Sequence, residues 1–173
     1  NQFRARHTFN FSLGAGTTVY GLFEIPFLPL EVIRHKMDPS ISFSFSPNFT
    51  DPSYGYVQTF TDTLGRTLTR DQFSGNPFGG TSSSESRRMN ISVNNLFQGK
   101  MIKDGEEKKI DLFNLTFNTA HNFIADSLKW NDLQSSMRTS VSRDFDLSMT
   151  ATHSFYKPTT SGTGRRNEFV WND

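Results

Sequence analysis

The four histidines are the side chains of this chain best suited to bind a metal ion or to transfer a proton. They are His7, His35, His121 and His153, and they lie far apart in sequence, without the short spacing that joins two ligands of one metal. Cysteine is absent, which excludes disulfides and thiolate metal sites. The sequence therefore predicts no catalytic residues, no metal site and no cofactor, and we expect a protein that is not an enzyme.

Two pairs of adjacent arginines have the chemistry to bind phosphate, because a planar guanidinium matches two phosphate oxygens at once. They are Arg87-Arg88 and Arg165-Arg166. The alternative is that these side chains extend along the edge of a membrane or keep loops in water. The Gly-rich stretch 74–81 lacks the Gly-Lys-Ser/Thr ending of a phosphate-binding loop, so we interpret it as a flexible outer loop.

The composition suits a chain with one apolar face per strand. Only 34% of the residues are hydrophobic, yet 18 of them are phenylalanine, whereas a soluble two-layer core draws more on Val, Ile, Leu and Ala. Mean hydropathy is -0.53, and no stretch approaches the ~18 uninterrupted apolar residues of a membrane helix. The net charge of +1 gives no reason to expect a nucleic-acid partner.

Apolar and polar residues alternate with period two over long segments, and this pattern indicates β-strands. The pattern covers residues 3–23, 39–49, 88–101, 112–123, 133–141 and 145–155, and a short strand begins at Phe169. Most of these segments reach the ~9–11 residues that a strand needs to cross a membrane, rather than the ~5–6 of a soluble strand. We therefore predict an all-β fold of antiparallel transmembrane β-barrel strands in the outer membrane.

The polar face of each strand predicts which side chains line the lumen of the barrel. These faces carry Ser, Thr, Asn and Gly with few charges, a set that a lumen tolerates. The lumen-facing candidates are Asn10, Ser42, Ser44, Asn90, Thr116, Asn118, Arg138 and Asp146. The opposite face, rich in phenylalanine, is predicted to contact lipid. An aromatic girdle at the membrane interfaces is predicted from Tyr20, Tyr54, Tyr56, Trp130, Tyr156 and Trp171.

Turn chemistry sets the register of one predicted hairpin. A three-residue loop at 142–144 would pair Val141 with Phe145 and Met137 with Met149, so that the apolar faces coincide. A two-residue loop would set polar against apolar side chains along the whole hairpin. Elsewhere the sequence predicts a charged Asp-Gly turn at 103–108 and a long outer loop at about 48–87.

The predicted strands, about six or seven, are too few for a standard single-chain barrel, which begins at about eight. Open strand edges are costly in lipid, because their backbone groups find no hydrogen-bond partner there. We therefore expect residues 1–173 to form a single segment of a larger outer-membrane barrel. The remaining strands of that barrel are its first expected partner.

Several runs of residues resemble the LptD (OstA-like) lipopolysaccharide-assembly family, in one of its divergent branches. They are Ile33-Arg34-His35, Pro-Ser-Ile-Ser-Phe-Ser-Phe-Ser-Pro-Asn-Phe at 39–49, Asp51-Pro52, Gly55-Tyr56, Ala-Asp-Ser-Leu-Lys-Trp at 125–130 and Asn-Glu-Phe-Val-Trp at 167–171. The resemblance extends over most of the chain, including the order of its loops. No part of it covers the family's periplasmic jelly-roll domain, so reception of the lipid is not assigned to these residues.

The resemblance implies a role in export. Members of the family form a very large barrel plugged by a lipoprotein, receive lipopolysaccharide from periplasmic bridge proteins, and release its lipid through a gate between the first and last strands. Its sugars leave through the lumen. The expected partners are therefore lipopolysaccharide, outer-membrane lipids, the lipoprotein plug and the bridge proteins. Arg87, Arg88, Arg165 and Arg166 become candidates for contacts with lipopolysaccharide phosphates.

Two other interpretations stay open beside delivery of lipopolysaccharide to the outer leaflet. The chain could belong to another outer-membrane transport barrel, either a protein-secretion translocon or a porin. A porin should show rings of charge at a narrow constriction, which this sequence lacks. A soluble β-sandwich for binding or adhesion is the third interpretation, and such a chain would stay in solution without detergent.

Overall fold

The computed structural model describes residues 4–24, 32–103, 106–142 and 145–172, and these form eleven β-strands, one 3-10 helix and no α-helix. The strands are β1 (Phe11–Gly16), β2 (Val19–Phe23), β3 (Val32–Ser46), β4 (Val57–Thr61), β5 (Thr67–Asp71), β6 (Ser86–Lys103), β7 (Glu106–Asn122), β8 (Leu133–Ser142), β9 (Phe145–His153), β10 (Tyr156–Pro158) and β11 (Arg165–Phe169), and the 3-10 helix is Pro52–Tyr54. The all-β prediction is confirmed. Within these ranges no helix is long and apolar enough to cross a membrane.

One seven-stranded sheet contains the long strands. Its order is β1-β3-β6-β7-β8-β9, and β2 also pairs with β3. The strands β4 and β5 form a separate antiparallel pair, and so do β10 and β11. As far as the structure describes the chain, the large sheet does not close on itself, which is consistent with a segment of a larger barrel.

Two compact units divide the chain. Unit 1 comprises Asn1–Ser12 and Ser44–Arg87, and it contains the 3-10 helix with the β4–β5 hairpin. Unit 2 comprises Leu13–Phe43 and Arg88–Asp173, and it contains most of the large sheet. The predicted long loop at 48–87 therefore carries secondary structure of its own.

The first predicted strand, residues 3–23, is shorter than expected and interrupted. Residues 4–10 are irregular, and a break at Thr17 and Thr18 separates β1 from β2. Pro39 of β3 lies at this break, where its carbonyl oxygen accepts a hydrogen bond from Thr17 N over 3.1 Å. Because proline has no N–H to donate to the ladder, regular pairing stops there. The break could not be predicted from the alternation in residues 3–23, because the N–H group that is missing belongs to the neighbouring strand.

The β6–β7 ladder extends from Arg88↔Asn122 to Lys103↔Glu106 and preserves the predicted faces over most of its length. Val93 pairs with Phe117, so two apolar positions coincide. A bulge interrupts the ladder at Leu112, because Phe97 pairs with Phe113 while Gln98 pairs with Asp111. The extra residue lets the polar residues on both sides of the bulge stay on one face.

The β8–β9 hairpin has the predicted register with a different turn. Met137 pairs with Met149, as predicted. The predicted pairing of Val141 with Phe145 is wrong, because Phe145 pairs with Ser142 and the register shifts between Ser140 and Ser142. The three-residue loop was expected to add one residue between the two strands. In the structure a bulge in β8 adds that residue instead, so the pairs farther from the turn have the predicted register.

The connections alternate between long and short in chain order. Residues 47–85 join β3 to β6, two residues join β6 to β7, residues 123–132 join β7 to β8, and two residues join β8 to β9. The predicted Asp-Gly turn, at Asp104 and Gly105, lies outside the described residues, as do Arg143 and Asp144. Alternating long and short connections are typical of barrels with outer loops and periplasmic turns.

Candidate functional site

The large sheet has a polar face, on which side chains of neighbouring strands form hydrogen bonds. Asn90 Nδ2 of β6 donates to Ser42 Oγ of β3 over 3.4 Å. Thr116 Oγ1 of β7 donates to Asn94 Oδ1 over 2.9 Å and to Asn114 Oδ1 over 3.1 Å. We call the surface that carries these five residues the polar face. Three of the predicted lumen-facing residues, Ser42, Asn90 and Thr116, thus lie on the same side of the sheet.

An aspartate connects this network to the edge of the sheet. Asp38 of β3 accepts a hydrogen bond from Thr18 Oγ1 over 2.6 Å and forms an ion pair with Lys36 Nζ over 2.9 Å. Asn94 of the neighbouring β6 lies near the same carboxylate. A band of hydroxyl and amide groups therefore extends from Thr18 across the neighbouring strands β3, β6 and β7. Within it the negative charge of Asp38 is compensated by Lys36. Such a surface forms hydrogen bonds with a polar solute without holding it by a strong net charge.

Three further candidates lie on β7, β8 and β9. Asn118 is exposed, and Arg138 pairs with Asn114 on one side and Ser148 on the other. The Asn114–Arg138 pair ends the described β7–β8 ladder. Beyond it is a cavity of about 550 Å³, and Arg138 and Asp146 both line it. Arg138 of β8 and Asp146 of β9 thus share one cavity wall.

Ser44 and Asn10 complete the predicted lumenal set. Ser44 follows Ser42 by two residues on β3, so it points to the same side of that strand. Asn10 lies in the irregular segment before β1 and is exposed. Strand alternation therefore does not assign Asn10 to either face.

Arg165 and Arg166, the first two residues of β11, contact other residues of the chain. Arg165 donates from Nη1 and Nη2 to the two oxygens of Asp132, each over 2.7 Å. Arg166 Nε donates to Pro158 O over 3.4 Å, and its Nη1 lies 4.0 Å from a carboxylate oxygen of Glu168. The bidentate pair occupies the guanidinium fork of Arg165, so a phosphate would have to displace the carboxylate. Arg166 is exposed and more weakly held.

The other arginine pair lies at the start of β6. Arg87, in unit 1, forms an ion pair of 2.5 Å with Glu85, and its guanidinium carbon is 5.6 Å from the ring centroid of Phe45. Arg88, in unit 2, donates from Nε to Asn90 Oδ1 over 3.1 Å. The latter bond places Arg88 beside the polar face.

The opposite face of the sheet is apolar, and no part of the chain that the structure describes covers it. Phe97 and Phe113 stack across β6 and β7 with ring centroids 4.4 Å apart. Large apolar side chains elsewhere on this face are 44% to 65% exposed: Leu13, Val19, Phe23, Ile41, Leu147 and Met149. Contact of so much apolar surface with water is unfavourable. The face therefore requires an apolar environment.

Three histidines lie among the apolar side chains of this face. His35 Nε2 is hydrogen-bonded to Asn95 Oδ1 over 2.9 Å, and His153 Nε2 to Ser135 Oγ over 2.8 Å. The Nδ1 atom of His121 is buried without a hydrogen-bond partner in the described structure. Among the residues whose positions are described, no three His, Asp or Glu side chains converge to hold a metal.

Unit 1 contains a row of packed aromatic rings. The Phe49 ring lies 5.5 Å from that of Phe9 and 5.2 Å from that of Tyr54. Tyr56 continues the row to Phe73, at 5.8 Å, and Phe49 and Phe73 are buried. Tyr54 and Tyr56, which were predicted to lie in an interfacial girdle, here pack inside a loop unit. Sequence alternation did not indicate this cluster, because it placed Phe9 and Phe49 in predicted strands, whereas both lie outside the strands of the structure.

The irregular segment 4–10 is attached to this cluster. Tyr56 OH donates to His7 O over 2.8 Å and accepts from His7 N over 2.9 Å. The Arg6 guanidinium carbon lies 5.2 Å from the ring centroid of Phe73, and its Nη1 donates to Gly79 O over 3.2 Å. Residues that precede the sheet and residues of the loop thus form one folded unit.

Aspartates close the turns of unit 1. Asp51, Asp62 and Asp71 each accept a hydrogen bond from the backbone N–H two residues later. Asp71 also accepts from Thr81 N over 2.6 Å and from Thr81 Oγ1 over 2.7 Å. The hydrogen bond from an aspartate oxygen to the N–H two residues later defines an Asx turn. It is the one sequence signal that could have indicated an ordered loop at 48–87.

These hydrogen bonds change the acidity of the three carboxyl groups. The pKa of Asp51 is lowered by hydrogen bonds from Ser53, and the pKa of Asp62 by those from Arg66. Burial raises the pKa of Asp71, but hydrogen bonds from Thr81 and Phe73 outweigh it, so the pKa falls below 3.8. A pKa lowered by folding stabilises the fold above the unfolded-state pKa, and this contribution is lost as the pH falls through the folded-state pKa.

We therefore expect unit 1 to loosen in acid, at pH values below 3.8. Backbone amide exchange at Phe73 and Thr81, corrected for its intrinsic pH dependence, should accelerate there. At neutral pH Asp71→Asn should raise exchange at Thr81 about five- to tenfold, because an amide oxygen replaces only one of the two acceptors. Asp126→Asn, at an exposed aspartate of unit 2, is the control. Exchange unchanged by both acid and Asp71→Asn would contradict this role.

Comparison with known proteins identifies a family. The family model described as LptD protein matches residues 1–156. This range includes unit 1, the large sheet and the first residue of β10. No curated protein and no solved structure matches the chain.

Proposed function

We propose that the chain forms part of the translocon that delivers lipopolysaccharide to the outer leaflet. The chain belongs to the LptD family, whose members are outer-membrane proteins of lipopolysaccharide transport. One observation supports this best: long antiparallel strands form a sheet with an exposed apolar face and a hydrogen-bonded polar face. In an outer-membrane barrel the first face contacts lipid and the second lines the lumen.

The two faces suit the two halves of lipopolysaccharide. Acyl chains remain beside the apolar face, where no polar group of the lipid has to be desolvated. The sugars pass the polar face, where hydroxyl and amide groups such as those of Ser42, Asn90 and Thr116 replace water as hydrogen-bond partners. Exchange between similar hydrogen bonds changes little free energy, which favours passage over retention.

The proposal includes partners beyond these residues. The remaining strands of the barrel satisfy the open edges of the sheet, and a lipoprotein plug and periplasmic bridge proteins complete the translocon. Arg87, Arg88 and Arg166 remain candidates for contacts with lipopolysaccharide phosphates. Arg165 is the weakest of the four candidates, because Asp132 already occupies its guanidinium.

Site-specific photocrosslinking in living cells tests this function. A photoreactive residue placed at Asn118 or Arg138 in the complete protein is expected to capture lipopolysaccharide, and the adduct should vanish when the supply of lipopolysaccharide is blocked. Phe117 and Met137 are matched controls, since each precedes a test position by one residue and points to the other side of its strand. Controls are expected to capture membrane lipid.

The same experiment distinguishes the alternatives. Adducts between a secreted polypeptide and the probes at Asn118 and Arg138 would indicate a protein-secretion translocon. No adduct at these positions, with working controls at Phe117 and Met137, would contradict lipopolysaccharide export and favour a porin.

A further inference from the structure

Unit 1 contains a cleft of about 390 Å³, and its lining residues differ from the five that define the polar face. Segment 4–10 supplies Arg6, Phe9 and Asn10 to its wall, the last residue of β3 supplies the Ser46 hydroxyl, and the loop supplies Phe49 and the Ser82 hydroxyl. The wall thus combines a cation, an amide, hydroxyl groups and aromatic rings. Polar groups that line a pocket set the orientation and specificity of its ligand, so this wall suits a ligand that is polar and also has an apolar side.

Phe9 is the aromatic surface of the cleft. Its side chain is 54% exposed, while Phe49, which meets it edge to face at 5.5 Å, is 3% exposed. The buried ring therefore fixes the position of the exposed one. An aromatic face carries negative charge density and attracts positively polarised hydrogens. The C–H groups on one side of a sugar ring are such hydrogens.

Arg6 brings a positive charge to the same cleft in a fixed position. Its guanidinium lies over the Phe73 ring at 5.2 Å, and in the described contacts it donates only through Nη1, to Gly79 O and Thr81 Oγ1. Nη2 and Nε therefore have no hydrogen-bond partner in the described part of the chain. A guanidinium held in this way loses little rotamer freedom when it binds a phosphate or carboxylate oxygen.

We propose that this cleft binds an anionic saccharide. Phe9 stacks on a sugar ring, Asn10 and the serine hydroxyls bond its hydroxyl groups, and Arg6 bonds a phosphate or carboxylate on it. This inference rests on the proposed function, because it identifies the ligand as the sugar-phosphate part of exported lipopolysaccharide. It adds a binding site in a loop unit that transport through the polar face does not require.

The test measures binding to the complete protein in detergent by isothermal titration calorimetry. The probe is deacylated lipopolysaccharide, which retains sugars and phosphates and lacks acyl chains. Phe9→Ala is expected to weaken binding about fivefold, the equivalent of one aromatic contact, and Asn10→Ala about threefold. Phe60→Ala and Gln58→Ala, at exposed positions of β4 in the same unit, should bind as the unsubstituted protein does.

The ligand's charge is tested with two further probes. Neutral maltoheptaose should bind at least tenfold more weakly, as expected when a bidentate guanidinium contact is lost. Dephosphorylated saccharide should bind as weakly if Arg6 bonds a phosphate, and as tightly as the phosphorylated probe if Arg6 bonds a carboxylate. Equal binding of maltoheptaose would overturn the anionic assignment. Limited proteolysis of unit 1 must give the same fragments for Phe9→Ala as for Phe60→Ala, so that a loss of binding reports contact and not unfolding.

Two outcomes separate this inference from the proposed function. If deacylated lipopolysaccharide binds Phe9→Ala and Asn10→Ala as tightly as the unsubstituted protein, the cleft is not its site, while export through the polar face stands. If the unsubstituted protein binds no saccharide although photocrosslinks form at Asn118, the cleft is again refuted and the export function is retained.

Discussion

Replacing Phe117 by arginine is expected to prevent assembly of the protein in the outer membrane, whereas Asn118→Arg should assemble normally. The two positions are adjacent on β7, and their side chains point to opposite faces of the sheet. Phe117 lies opposite Val93 on β6 and Ser135 on β8. A guanidinium on the lipid side near the middle of the bilayer costs about 2–4 kcal/mol, and on the lumenal side it remains in water.

The measurement is the amount of heat-modifiable protein in outer-membrane fractions. A folded barrel migrates differently on a gel before and after heating, so the ratio of the two bands reports assembly. We expect the folded band of Phe117→Arg to fall to less than about a tenth of the unsubstituted level, because a cost of about 2–4 kcal/mol changes an equilibrium by more than tenfold. Loss of assembly in Asn118→Arg together with normal assembly of Phe117→Arg would show that the faces are assigned the wrong way round.

Phe49→Ala is expected to unfold unit 1 while the large sheet remains folded. The Phe49 ring is 3% exposed and contacts the rings of Phe9 and Tyr54. Removal of a buried phenylalanine ring costs about 3–5 kcal/mol, which is comparable with the whole stability of a small folded unit. The long ladders of β6, β7, β8 and β9 do not include these residues.

Hydrogen exchange followed by mass spectrometry distinguishes local from global unfolding. Peptides of the β4–β5 hairpin should lose protection by a factor of about 100 or more in Phe49→Ala, and peptides of β7 should keep theirs. Phe60→Ala removes the same ring from an exposed position of β4 and should change protection little. Retained protection of the hairpin in Phe49→Ala would mean that the ring cluster does not hold unit 1 together.

Two local rules were enough to predict most of the long strands and the two faces of the sheet. Side chains alternate between faces at every residue of a strand, so a run such as Ser42-Phe43-Ser44-Phe45 assigns its own residues to two sides without knowledge of a partner. Register follows where two such runs meet across a short turn, since only one parity sets apolar against apolar. Met137 and Met149 pair for this reason.

The candidate site was predicted in part for the same reason. Ser42, Asn90 and Thr116 share the polar face because each occupies a polar position of its own strand. Asn10 could not be assigned, because it precedes the strand that its alternation suggested. The partners of the arginines also could not be predicted, since Asp132 and Arg165 are separated by 33 residues and meet only in the folded chain.

Tertiary structure decided the interruptions and the loop. The break between β1 and β2 depends on Pro39 in the neighbouring strand, and the bulge at Leu112 on pairing with β6. Unit 1 depends on contacts such as Tyr56 with His7, separated by 49 residues. Alternation is a property of one strand and can be seen in the sequence, whereas a ladder defect or a long-range contact is a property of two segments. The sequence by itself therefore determined the all-β class and the two faces, and only the folded chain determined where the ladders break and how the loop closes on segment 4–10.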